Sequence, residues 1–210
     1  MKIATIVLAA GRSRRMGRPK AWLSYQGKTF LQRIVETAQA ANLKPIVVVA
    51  GSVEHAPPLV SHEEIKQRIA LPDLVLAVGK PDAHPIDSLR AGLACLPADH
   101  AFFLWPVDYP FADEALLEKM RGSLGNRADA VIVPVSGLDS ISSSESARWG
   151  HPVLLGTALV TELNSPAADE GAHHVVRRDR SRITVVQADD PRICANINTP
   201  AAARAAGIDS

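Results

Sequence analysis

The chain has 210 residues, 47% of them hydrophobic and 21% charged, enough for one α/β core and too few for two comfortable domains. Its formal net charge is +1, so no broad electrostatic field steers it toward DNA, RNA or an anionic membrane. No apolar run approaches the ~20 residues that span a bilayer, and any anion bound here must be held by a local basic cluster.

Short apolar, β-branched runs alternate with helical patterns, which predicts a mostly parallel sheet covered on both faces. Ile3 to Ala9 is the first strand. It is followed by GRSRR at positions 11–15 rather than by a small-residue cleavage site, so it does not read as a signal peptide and the chain is expected to be cytoplasmic. Thr29 and Gln32 form a capping box for a helix whose apolar face is Phe30, Leu31, Ile34, Val35, Ala38 and Ala41. Pro45 to Ala50 is the second strand. Ser61 and Glu64 form another capping box, opening a helix that stops before Pro72. Leu74 to Val78 is the third strand, and Ser88 to Leu96 the next helix. Ala101 to Trp105 is a fourth, buried strand; Glu114 to Met120 is helical and Ala130 to Val135 a strand. The stretch from Gly137 to Arg148 is polar and serine-rich and reads as a flexible loop.

Beyond it come a strand at Val153 to Leu155 and helices at Ala158 to Leu163 and Asp169 to Arg178. A strand at Ile183 to Ala188 and a last helix, capped by Thr199 with Pro200 at its first position, complete the pattern. The expectation is a single domain over residues 1–210, a three-layer α/β/α, Rossmann-like fold with an open, mostly parallel sheet. Cys95 and Cys194 are far apart in sequence, have no metal-ligand spacing and read as two free thiols.

The first strand-to-helix connection is the strongest motif. In an open α/β sheet, ligands sit in the crevice beyond the carboxyl ends of the strands. Here LAAGRSRRMGRPK, positions 8–20, follows the first buried strand and carries five basic residues within nine positions: Arg12, Arg14, Arg15, Arg18 and Lys20. Glycines let backbone N–H groups approach a phosphate, arginines donate in pairs, and a lysine supplies a compact charge. A solvated basic loop is the bland alternative. The segment is neither a Walker A loop nor a GxGxxG turn.

Asp108 is the second feature. It follows the buried run AFFLW and so lies at a strand's carboxyl end, on the same rim as the basic loop. Mg²⁺ bridging phosphate oxygens uses one or two protein carboxylates and fills the rest of its shell with phosphate and water. The alternative role is an aspartate that opens a turn between Pro106 and Pro110. His173 and His174, beside Arg177 and Arg178, lack zinc-ligand spacing and read as a solvated or partly packed face. Of the three tryptophans, Trp22 and Trp105 read as packing residues, and Trp149 as the one that faces a ligand.

The LAAGRSRRMGRPK segment resembles the signature of the MobA-like NTP transferases, a branch of the glycosyltransferase-A-like nucleotidyltransferases that includes molybdenum cofactor cytidylyl- and guanylyltransferases. SLRAGL (88–93), PVDYP (106–110), GHPVLL (150–155), DEGA (169–172) and INTP (197–200) follow in the family's order. The resemblance implies a sheet of the nucleotide-diphospho-sugar transferase type. It also implies a Mg²⁺-dependent transfer of NMP from an NTP to a small phosphorylated acceptor, molybdopterin, with release of pyrophosphate. Leu8, Ala9, Ala10 and Gly11 would hold the base and ribose side, Arg15 and Lys20 the phosphates, and Ser88 the base. Arg15, Lys20 and Asp108 would be the catalytic set. Asp108 and Asn198 would be the metal ligands, and His151 would face the acceptor. No nucleic acid or membrane partner is implied; a transient contact with a molybdoenzyme or its chaperone is.

Two departures stand out. Where the family often reads Asp-x-Asp-Thr-Pro, residues 196–200 read NINTP, so Asn198 is either a neutral oxygen ligand or a support for the last helix's cap. Before Ser88, HPID lacks the usual glycine, and Asp87 is either the helix N-cap or a contact to the base. These departures keep two alternatives in view: the same chemistry on a sugar or polyol phosphate, or a nucleotide-binding accessory protein without turnover. The LAAG form resembles the cytidylyltransferase branch more than the guanylyltransferase branch, and that resemblance implies CTP over GTP.

Overall fold

The structure, a computed structural model, describes residues 1–51, 60–79, 84–137 and 149–208. The serine-rich stretch at 138–148 lies outside these described residues. In chain order the elements are β1 (Lys2–Leu8), β2 (Ser24–Tyr25), β3 (Lys28–Thr29), α1 (Phe30–Ala40), β4 (Ile46–Ala50), α2 (His62–Arg68), β5 (Leu74–Val78), α3 (Pro85–Leu93) and β6 (His100–Pro106). Then come α4 (Glu114–Leu124), β7 (Val131–Val135), β8 (Val153–Leu155), α5 (Ala158–Leu163), α6 (Ala172–Arg177), β9 (Ile183–Gln187) and α7 (Pro200–Ala205).

Seven strands form one sheet in the order β5-β4-β1-β6-β8-β7-β9. Every pairing is parallel except those of β8, which runs antiparallel to both β6 and β7. The alternation of β1 shows how the layers arise. Ile3 and Val7 enter one apolar cluster with α1, α4 and Ile65 of α2. Ala4 and Ile6 enter the other, with α3, α5 and α6. Side chains two apart share a face, so a strand buried at every position from Ile3 to Val7 must be covered twice. The three-layer, mostly parallel sheet expected from the sequence is the fold observed.

Local signals place the helix starts. Both capping boxes form: Thr29 accepts from the Gln32 amide while Gln32 accepts from that of Thr29, and Ser61 and Glu64 do the same. Thr199 accepts from the Ala202 amide at 3.2 Å, with Pro200 opening α7. Two expectations need correction. Helix α3 begins at Pro85 with His84 as N-cap, so Asp87 sits within the first turn and caps nothing. A proline's fixed φ suits the first helical position, which moves the start upstream. The helix expected from Asp169 begins only at Ala172, because Gly171 holds φ at 125°, outside helical space. The β2–β3 hairpin, which the sequence reading missed, joins the basic loop to α1.

Candidate active site

From β1 the chain moves outward to β4 and β5, then returns to the other side of β1 as β6. That reversal makes a topological switch point between β1 and β6, where open α/β sheets bind their ligands. Leu8 pairs with Pro106 at the carboxyl end of these strands, and the Val107 amide donates to the Leu8 carbonyl at 3.1 Å. The segment after β1 and the PVDYP turn after β6 therefore leave the sheet side by side.

The basic loop is pinned at intervals. Met16, Ala21 and Leu23 are buried in the core. Ser13, at φ 48°, accepts at its carbonyl from the amides of Met16 and Gly17 at 2.8 and 3.1 Å. Its hydroxyl accepts from the Lys20 amide at 3.1 Å. Ala9 and Ala10 are buried and Gly11 exposed, so the backbone surfaces there. This folding delivers Lys20 inward: its Nζ lies 3.1 Å from Asp108 Oδ2, with both side chains about one-sixth exposed. Lys20 Nζ also donates to Asn198 Oδ1.

The last segment is locked onto the rim by three consecutive residues. The Asn196 amide nitrogen donates to the Tyr109 hydroxyl at 3.0 Å. The Ile197 backbone amide donates to the Asp108 carbonyl at 3.0 Å. Asn198 then turns its oxygen to Lys20, while the cap of α7 falls to Thr199. Two oxygens, one from mid-chain and one from near residue 200, thus converge on the positive charge of Lys20. A carboxylate and an amide oxygen around a cation are a donor set that Mg²⁺ or Mn²⁺ accepts, with water and phosphate completing the shell.

The remaining candidates are spread around this centre. Arg15 is exposed on the loop and makes no ion pair among the described residues. Ser88 is buried on the first turns of α3. A Cβ built on Gly79 would lie 2.5 Å from Ala10 Cβ and 3.2 Å from Ser88 Oγ. Gly79 is therefore the glycine that lets the Ala10 and Ser88 walls approach, a role the sequence reading looked for later in the chain, at 84–87. Residues 80–83, which follow Gly79, lie outside the described residues.

On the β8 side a cavity of about 540 Å³ opens, lined among others by Tyr109, Trp149, His151, His173 and Arg177. His151 reaches the rim through Tyr109, their ring centroids 4.5 Å apart. Burial pushes the His151 pKa down to about 4, against a smaller opposing pull from the Asp108 charge. The ring is therefore neutral at pH 7, and its Nδ1, closed to solvent, has no hydrogen-bond partner among the described residues. Burial raises the Tyr109 pKa despite the hydrogen bond from Asn196, so its hydroxyl stays protonated. The sequence reading placed Trp149 and His151 near a ligand but missed Tyr109, His173 and Arg177. The signal for Tyr109 was its adjacency to Asp108; none marked Arg177.

Solved structures share this architecture. The crystal structure of Rv0371c from Mycobacterium tuberculosis H37Rv superposes with a TM-score of 0.74 at 23% identity, covering 98% of this chain and 97% of that one. A structure of the same protein in complex with manganese has a TM-score of 0.71 over the same shares at 23% identity. At such identity the likeness establishes the shared fold and nothing finer. The MobA-like NTP transferase domain matches residues 5–184, and the chain belongs to that family. A curated relative, the probable molybdenum cofactor guanylyltransferase of Bacillus cytotoxicus, is 32% identical over 142 residues. That match spans 64% of this chain and 63% of the relative, under two thirds of the latter's length. Among the described residues no helix is long and apolar enough to cross a membrane.

Proposed function

We propose that the chain, acting as one domain over residues 1–210, is a nucleotidyltransferase that moves NMP from an NTP to a phosphorylated acceptor and releases pyrophosphate. The observation that carries the proposal is the convergence of Lys20, Asp108 and Asn198 at the β1/β6 switch point. Leu8 to Gly11 hold the nucleoside side through their backbone, with Ser88 behind Gly79 at the base. Arg15 and Lys20 grip the phosphates and stabilise the leaving pyrophosphate. Asp108 and Asn198 hold a divalent cation, Mg²⁺ in our reading, which when bound neutralises phosphate charge and orients the in-line displacement. A manganese complex of a protein with the same fold supports a divalent ion. His151 faces the acceptor as a neutral ring. An acceptor phosphate is already a nucleophile at neutral pH, so no strong general base is needed.

Molybdopterin is the acceptor we infer, supported by the family and by the names of the curated relatives. The LAAG form of the loop supports CTP; the guanylyltransferase names support GTP. Both readings yield to one experiment: pyrophosphate release measured with CTP, GTP, ATP and UTP, each with molybdopterin, with a polyol phosphate and with neither. Release with molybdopterin and one NTP is the expected result. Release with a polyol phosphate alone moves the acceptor to that class, and NTP binding without release under any acceptor leaves a binding module. We infer that the chain acts in the cytoplasm, and a transient contact with a molybdoenzyme or its chaperone is the partner this reaction implies.

A further inference from the structure

Arg177 stands apart from its neighbours. Arg178 pairs with Glu162 at 2.8 Å, Arg182 with Glu162 at 2.7 Å, and Arg90 with Asp169 at 2.7 Å. Arg177 has no carboxylate or carbonyl partner among the described residues. Its guanidinium carbon lies 4.5 Å from the Trp149 ring centroid, at the wall of the cavity that Tyr109 joins to Asp108. Stacking engages the face of a guanidinium and leaves its N–H edge free to donate. Around it the wall is mostly aromatic or apolar, with Cys194 and two histidines, of which His151 contributes no charge at neutral pH because burial holds it neutral. One permanent positive charge, preoriented on an indole, is thus the cavity's means of reading an anion.

We infer that Arg177, seated on Trp149, is the specificity-determining residue that selects the acceptor by an anionic group on a flat, conjugated body. The aromatic walls take the body, and the paired N–H donors take the anion. Trp149 is the positioning residue that holds the guanidinium edge toward the cavity. This rests on the reading of the neighbouring rim as the site of nucleotidyl transfer. It adds to that reading the residue that tells one acceptor from another.

The test compares wild type with R177Q, R177K and W149F, using molybdopterin as acceptor and the preferred NTP with Mg²⁺. A charge-assisted hydrogen bond to an anion predicts that R177Q raises the acceptor KM roughly tenfold to a hundredfold, while the NTP KM stays within about twofold. R177K falls between. The rise of the wild-type acceptor KM with salt should flatten in R177Q, which a purely structural arginine would not produce. An unchanged acceptor KM, or an equal rise in both KM values, overturns the inference. Molybdopterin binding to the nucleotide-free protein, followed by tryptophan fluorescence, separates the two claims. Binding that depends on Arg177 without any turnover keeps the inference and removes the transferase reading. Turnover indifferent to Arg177 does the reverse.

Discussion

The two halves of the site are built on opposite principles. The rim at β1 and β6 is a place of satisfied charge: Lys20 neutralises Asp108 and donates to the Asn198 amide oxygen, and backbone hydrogen bonds fix each of the three segments involved. The cavity beside β8 is mostly aromatic and apolar, its buried His151 neutral and its arginine held by a ring rather than a carboxylate. A polyanion with a metal needs many fixed charges, which are costly unless mutually compensated before the ligand arrives. A larger organic acceptor gains its binding from burial and needs few charges. Substitutions at the rim should therefore act on turnover, and those in the cavity on acceptor binding.

The largest effect should come from Asp108→Ala, which leaves the metal side one neutral oxygen. Pyrophosphate release is expected to fall by roughly a thousandfold or more, with the melting temperature changed by only a few degrees; retained turnover in stopped assays would falsify the metal assignment. Next, Lys20→Met should lower turnover by about a hundredfold. The same change should tighten Mn²⁺ binding to the nucleotide-free protein, because the ammonium no longer competes for the same two oxygens. Calorimetry or paramagnetic resonance reads this directly, and weakened Mn²⁺ binding would mean that the lysine orders the oxygens instead of shielding them.

Gly79→Ala places a methyl 2.5 Å from Ala10 Cβ. Overpacking of this kind costs about 1–3 kcal/mol, and the NTP KM should rise while that of the acceptor holds; the opposite split would move Gly79 to the other half. Asn196→Ala removes the hydrogen bond that holds the Tyr109 hydroxyl, worth roughly 1 kcal/mol, and should raise the acceptor KM about fivefold. The smallest effect on activity is none at all: His151 stays neutral, so the acceptor KM attributable to it is flat between about pH 6 and 8. Its mark is on stability instead. The folded pKa is lowered from 6.5 to about 4, so its contribution is complete above 6.5 and is lost as pH falls toward 4. Thermal melts across that window should show a loss that His151→Phe blunts.

The rim was the more legible half. Strand ends and a loop dense in arginines announce an anion site, and Asp108 follows a buried strand whose limits are plain. What the sequence could not show is that Lys20, rather than Arg15, turns inward. That depends on Met16 and Leu23 being buried and on the hydroxyl of Ser13 holding the Lys20 amide, contacts with no periodic signature. The cavity was nearly invisible, because it joins β6, β8, the turn at Tyr109 and the short helix α6, whose neighbours are set by the antiparallel insertion of β8. Asn196 looked like a lost carboxylate and instead anchors Tyr109, a role that needs only an amide donor.

The bond from Lys20 to Asn198 crosses 178 positions of sequence. Closing so long a span is entropically slow, so it forms only once both sides of the sheet are in place. Short α7 and the segment before it, held by a few hydrogen bonds and the buried Ile197 and Ala203, are expected to be the first part of this ring to release. Turnover should therefore vanish at milder denaturant than the loss of helix signal, making activity a gauge of whether the two ends of the chain are still clasped.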